Sequence, residues 1–100
     1  MSEADSQIRW GILSTARIAS KVCRAIQSAE GAEVVAVASR DAGRAERWAA
    51  EHGVARDYGS YQRLLDDPEL EAVYVALPPS MHAEWTLRAL AGALPFALYL

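Results

Sequence analysis

Several kinds of chemistry are excluded by what this chain lacks. It has one cysteine, Cys23, which rules out an internal disulfide framework and any metal cluster built on thiolates. Its one lysine is Lys21, so nearly all of its positive charge is arginine. Ten basic residues stand against thirteen acidic ones, for a net charge of −3, and they are spread along the chain. That balance gives no electrostatic case for a nucleic-acid partner or an anionic membrane. Nowhere does an apolar run reach the roughly 20 residues of a membrane span. The most apolar stretch, "ALAGALPFALYL", is interrupted by Pro95. The opening "MSEADSQ" is polar and acidic, without the basic region and apolar core of a signal peptide. Cytoplasm is the expected compartment. There is no internal repeat and no low-complexity tract. Glycine is sparse as well, with six in the chain, and their absence from one turn matters below.

What is present is an alternation. An apolar content of 52% over 100 residues suffices for one modest domain. Ile8–Leu13, Val34–Ser39 and Ala72–Leu77 are short and mostly apolar, as strands covered on both faces are. Between the first two, Ile18, Val22, Cys23 and Ile26 recur at helical spacing, and that helix stops near Gly31. Cys23 on this face reads as a buried small hydrophobe. A second helix is expected over Ala42–His52, with Asp41 as its N-cap, Ala45, Trp48 and Ala49 as its inner stripe, and Gly53 ending it. His52 reads as a surface residue. Ala55–Tyr58 is a candidate edge strand, and Ser60 caps a short helix over Tyr61–Leu65 that Pro68 terminates. Ser80 reads as the N-cap of a last helix, Met81–Ala91, with Trp85, Leu87 and Leu90 available for packing. This order predicts an α/β fold: a Rossmann-type doubly wound parallel sheet with right-handed crossovers, incomplete at about four to five strands. The division expected is a tail over residues 1–7, the domain over 8–92, and an atypical apolar tail over 93–100 that could add a replacement fifth strand.

The junction "RWGILSTARIASK" is where such a fold binds nucleotides. A dinucleotide-binding turn places three glycines there, for the tight turn, for backbone access to a pyrophosphate, and for close helix–strand packing. Here Ser14, Ala16 and Ala19 occupy those positions. They are the smallest substitutes, and what they lose is easy access to positive φ. The Ser14 hydroxyl could donate to a phosphate oxygen, the first N–H groups of the helix point outward, and Arg17 adds charge. On these residues alone, a phosphate turn and a plain strand–helix junction both remain open. The second strand ends "VASRD", offering Ser39 and Arg40 where NAD-selective proteins place an acid. A hydroxyl and a guanidinium suit a ribose 2′-phosphate, so NADP is favoured over NAD if Arg40 is not simply a solvated loop residue. The strand ending "YVALPPSMH" stops on Pro78-Pro79 and leaves its carboxyl edge open, where ligands sit in such sheets. His82 is expected to face that crevice, with a plain surface histidine as the alternative.

The stretches "RWGILSTARIA", "VVAVASRD", "YGSYQRLLDDPELEAVYVALPPSMH" and "TLRALAG" together resemble the N-terminal domain of the Gfo/Idh/MocA oxidoreductases. That family is named for glucose–fructose oxidoreductase and inositol dehydrogenase, and the nearest flavour is its dihydrodiol and sugar dehydrogenase branch. The match covers about residues 8 to 92, with four motifs in the family's order. The resemblance implies that Ser14, Thr15, Ala16, Arg17, Ile18 and Ala19 cradle the pyrophosphate of a nicotinamide dinucleotide. Ser39 and Arg40 would meet the adenosine ribose or its phosphate. Leu77, Pro78, Pro79 and His82 would lie along the nicotinamide half, although Pro79 stands where the family often has a donor Asn.

The likeness stops after Gly92. Family members continue with a basic residue, a further strand and Glu-Lys-Pro, whose lysine moves the substrate proton; this chain reads "AGALPFALYL". Lys21 lies beside the phosphate turn and away from any substrate position. No catalytic residue and no metal ligand is therefore assigned. The expectation is the NAD(P)-binding domain of an oxidoreductase acting on CH–OH groups of sugars or diols, truncated or frame-shifted and inactive alone. The alternatives are a stand-alone nucleotide-binding or regulatory module, and a fragment that folds poorly. A methyltransferase reading is weaker, because "VASRD" has no acid at the strand end itself.

Overall fold

The computed structural model describes residues 7–91 and 96–99. Strands and helices alternate as β1 (Ile8–Leu13), α1 (Arg17–Ser28), β2 (Ala32–Ala38), α2 (Ala42–His52), β3 (Arg56–Tyr58), α3 (Tyr61–Leu65), β4 (Ala72–Val75), α4 (Pro79–Ala91) and β5 (Phe96–Tyr99). The expected tail over residues 1–7 and the apolar tail over 93–100 fall largely outside the described residues, but β5 lies within the latter and completes a fifth strand.

Local chemistry sets most of the helix ends. Asp41 accepts the Arg44 N–H at 3.0 Å and starts α2, and Gly53 closes it at φ 68°. Ser60 does the same for α3 through the Arg63 N–H at 3.1 Å. Four elements have boundaries that differ from expectation: β2 covers Ala32–Ala38 rather than Val34–Ser39, and β3 begins at Arg56 rather than Ala55. β4 stops at Val75, short of Leu77. Helix α4 begins at Pro79, so Ser80 lies inside the helix rather than capping it. Proline is well suited to a first helical position, since the N–H it lacks has no partner there anyway.

The sheet order is β3-β2-β1-β4-β5 and each pairing is parallel. From the central β1 the chain winds outward to β3 on one side, then returns to β4 and β5 on the other. Helices α1 and α2 cover one face, where Ile12, Ala19, Cys23, Val37, Trp48 and Tyr74 share a core cluster. Helices α3 and α4 cover the opposite face, over Leu13, Tyr61, Leu64, Val73, Val75 and Ala89. Cys23 is 1% exposed, and burial pushes its thiol pKa up, as the apolar-face reading expects. His52 is not the surface residue expected. Its ring stacks on Trp48 at 3.8 Å, and its nitrogens meet the Trp48 carbonyl at 2.8 Å and Ser20 Oγ at 3.0 Å, tying α2 to α1. Leu87 and Leu90, expected to pack, are 66% and 50% exposed. Among the described residues no helix is long and apolar enough to cross a membrane.

Candidate nucleotide-binding site

Reversal of the winding direction leaves a crevice at the carboxyl ends of β1, β2 and β4, because the connections there turn to opposite faces of the sheet. A cleft of about 830 Å³ lies at these ends. Its walls bring together Ser14, Thr15, Ala16 and Ile18 after β1, Ser39 and Arg40 after β2, and Leu77 and Pro78 after β4. Eight residues singled out in the sequence thus converge from beyond three separate strand ends.

The turn after β1 shows how serine and alanine replace glycine. Ser14 takes φ 101°, a conformation that side chains other than glycine rarely adopt. The Ser14 N–H is bound to the Ala38 carbonyl at 2.8 Å, which fastens the turn to β2. Ala16 precedes α1 with φ −64°, so the second glycine position needs no left-handed backbone here. Ala19 is fully buried against the sheet, and its single methyl satisfies the packing that the third glycine serves elsewhere. No side chain caps α1 and no acid lies in its first turn. Its opening N–H groups and dipole end therefore favour an anion.

The β2 end is polar and cationic. Ser39 is buried; its Oγ accepts the Asp41 N–H at 3.2 Å, which leaves the hydroxyl proton to donate. Arg40 and Arg44 both border the cleft beside it. Asp41 lies between them, yet its carboxylate caps α2. The Arg44 backbone N–H, the Gly43 N–H and the nearby guanidinium groups of Arg44 and Arg47 hold its pKa below the usual carboxylate value.

Four expected residues do not line this wall: Ala19 is buried beneath the turn, and three others lie elsewhere. Arg17 is exposed on α1, Pro79 is exposed at the start of α4, and His82 is buried at 7% exposure. The reason for His82 is rotational phase. With α4 starting at Pro79, Met81 faces the cleft, and the next residue is turned by about 100° toward the core. Asp41, expected only as a helix cap, and Arg44, Tyr61, Ala76 and Met81 complete the lining without having been assigned to the site. Arg44 had a local signal, since the Asp41 cap fixes it on the first turn of α2. Tyr61 had none: its ring meets Trp85 edge-on at 5.3 Å, a contact between α3 and α4 that only the tertiary fold creates.

A family model described as the oxidoreductase family with an NAD-binding Rossmann fold, Gfo/Idh/MocA, matches residues 8–94. An uncharacterized oxidoreductase of Rhizobium meliloti is 53% identical over 83 residues, 82% of this chain and 25% of that protein. D-xylose 1-dehydrogenase (NADP(+)) 2 of Haloferax volcanii is 48% identical over 81 residues, 80% of this chain and 25% of its own length. Among solved structures, KijD10, a 3-ketoreductase from Actinomadura kijaniata in complex with NADP, superposes with a TM-score of 0.86 at 36% identity, covering 93% of this chain and 29% of that one. The chain spans about a quarter of the length of the curated relatives it matches. A doubly wound sheet, a cleft at its switch point and a match across nearly all of its length lead to one placement: the chain belongs to the Gfo/Idh/MocA oxidoreductase family and corresponds to its NAD-binding Rossmann-fold part.

Proposed function

We propose that this chain holds NADP(H) across the cleft, as the nucleotide-binding domain, residues 8–92, of an oxidoreductase acting on CH–OH groups of a sugar or diol. The observation that carries the choice of NADP is the pair of arginines, Arg40 and Arg44, flanking the buried Ser39 at the end of β2. A ribose 2′-phosphate needs cationic donors there, while the 2′-hydroxyl of NAD is best held by a free carboxylate. Asp41 is the one acid bordering the cleft among the described residues, and its Oδ1 accepts the Arg44 N–H at the start of α2. Ser39 donates its hydroxyl proton beside the guanidinium groups. Ser14, Thr15, Ala16 and the α1 N-terminus receive the diphosphate, and Leu77 and Pro78 border the remaining length of the cofactor. Bound there, the nicotinamide supplies or accepts the hydride.

Arg17, Pro79 and His82 remain outside the set that this geometry supports for direct contact. The cleft lining contains no lysine among the described residues, and Lys21 is exposed on α1. A second reading is that the chain binds the nucleotide without turnover.

Calorimetric titration with NADPH and NADH tests the assignment. Replacing Arg40 or Arg44 by Ala is expected to weaken NADPH about tenfold or more, the scale of one lost charge-assisted hydrogen bond, and to leave NADH nearly unchanged. An equal loss for both nucleotides would refute the 2′-phosphate role. Hydride transfer by the purified chain, from a sugar or diol CH–OH group to NADP+ or from NADPH to the corresponding carbonyl, would reject the second reading.

A further inference from the structure

We propose that the Tyr61 hydroxyl binds the adenine base of the cofactor, a contact that rests on the nucleotide reading above and that neither the turn after β1 nor the arginines after β2 supply. Tyr61 is 8% exposed, and its hydroxyl makes no hydrogen bond among the described residues. A tyrosine oxygen so deeply placed ordinarily has a partner, and one without is a reason to look for a ligand. The residue borders the cleft. Its ring is held from behind: Trp85 meets it edge-on at 5.3 Å, and it shares a core cluster with Leu64, Leu65 and Leu77. With its apolar body fixed in that core, a tyrosine keeps its oxygen for the wet side, here the cleft.

The fold puts this residue at the adenosine end. Tyr61 opens α3, and the turn before it is fastened to the end of β2 and the start of α2. The Tyr58 carbonyl accepts the Ser39 N–H at 3.1 Å, and a Cβ on Gly59 would stand 3.0 Å from that of Ala42. In a 2′-phosphorylated nucleotide the base is attached to the carbon next to the one bearing the phosphate. A phosphate held at Ser39, Arg40 and Arg44 therefore brings the base to the part of the cleft that Tyr61 borders. Ala76, Leu77 and Met81 line the cleft as well and give a flat base apolar surface. Tyr61 is the one side-chain hydroxyl that α3 and α4 contribute to this lining among the described residues. Adenine carries an amino donor beside a ring-nitrogen acceptor, and a phenol can serve either.

Tyr61→Phe removes the oxygen and keeps the ring on Trp85. Three probes are titrated by calorimetry: NADPH, adenosine 2′-monophosphate and cytidine 2′-monophosphate, which carries a smaller, single-ring base on the same sugar phosphate. The variant is expected to keep the parent's thermal midpoint and to bind NADPH and adenosine 2′-monophosphate about threefold to tenfold more weakly. Cytidine 2′-monophosphate should bind as it does to the parent. An equal loss for both monophosphates would put the hydroxyl on the ribose or its phosphate, and a loss for NADPH alone would put it beyond the adenosine; either overturns the assignment. A lower midpoint with weaker binding of every probe would make Tyr61 a structural residue only. A variant that binds NADPH as tightly as the parent would overturn the role of Tyr61 and leave the nucleotide reading standing. A parent that binds neither NADPH nor adenosine 2′-monophosphate would overturn both.

Discussion

At the scale of single residues, Asp67 carries the most consequence outside the cleft. Its side chain is 3% exposed. One carboxylate oxygen accepts from Arg56 Nη1 and from the Tyr58 hydroxyl, each at 2.7 Å, and the other accepts the Glu69 N–H at 2.9 Å. Burial by itself would raise the pKa of this acid. The Glu69 amide, the Tyr58 hydroxyl and the Arg56 guanidinium outweigh it and hold the carboxyl below its ordinary 3.8. Burial and the same carboxylate push the Tyr58 hydroxyl pKa up. Since the folded pKa of Asp67 lies below the unfolded one, its ionisation stabilises the fold fully above about pH 4 and loses that effect as pH falls through the folded value. Urea unfolding across a pH series should show this acid limb. Asp67→Asn should lose about 2–3 kcal/mol at pH 7, by leaving Arg56 and Tyr58 poorly matched, and should show a flatter acid limb. An acid limb parallel to that of the parent would remove Asp67 as its source. In the sequence, "DDPEL" reads only as the end of a short helix, because nothing local marks which of two adjacent aspartates turns inward.

At the scale of elements, the β1–β2 pair shows where sequence reading succeeds and where it stops. The strand over Ile8–Leu13 and the caps Asp41, Gly53 and Ser60 are legible because each depends on a few neighbouring residues. The register shift beside Gly11 is not. Trp10 pairs with Val34 and Gly11 with Ala36, so Val35 is an extra residue, and Val35 and Ala36 consequently join the same core cluster. A Cβ on Gly11 would come within 2.8 Å of Leu70 Cδ1 and 2.9 Å of Leu64 Cδ2. Both leucines are buried, so neither has open space to move into. Gly11→Ala is therefore expected to destabilise by about 1–3 kcal/mol through overpacking, measured as a lower urea midpoint with unchanged slope. Unchanged stability would mean that α3 can shift away from β1. The candidate site divides along the same line. Residues at strand ends, such as Ser14, Ser39 and Leu77, are placed by topology and are readable. His82 and Met81 depend on the rotational phase of α4, which turns on whether Pro79 or Ser80 opens the helix.

At the scale of the whole molecule, the doubly wound order follows from the alternation of elements, while the exposure of α4 does not. Leu87 and Leu90 sit one helical turn apart on its outer side. Replacing both by Gln should leave unfolding free energy within about 0.5 kcal/mol of the parent and reduce concentration-dependent self-association in sedimentation. A loss of stability well beyond that would show that they pack against something. Strand β1 sits at the centre of the sheet, yet Trp10 finds its partner on one side at Val34 and on the other only at Ala72. On a ribosome adding about 5–20 residues per second, that second neighbour follows Trp10 by roughly 3 to 12 seconds. For that interval the strand destined for the middle of the sheet is an edge. The protein's first seconds are thus spent with its central strand half open, which makes the period before β4 emerges the time at which a chaperone would matter to this chain.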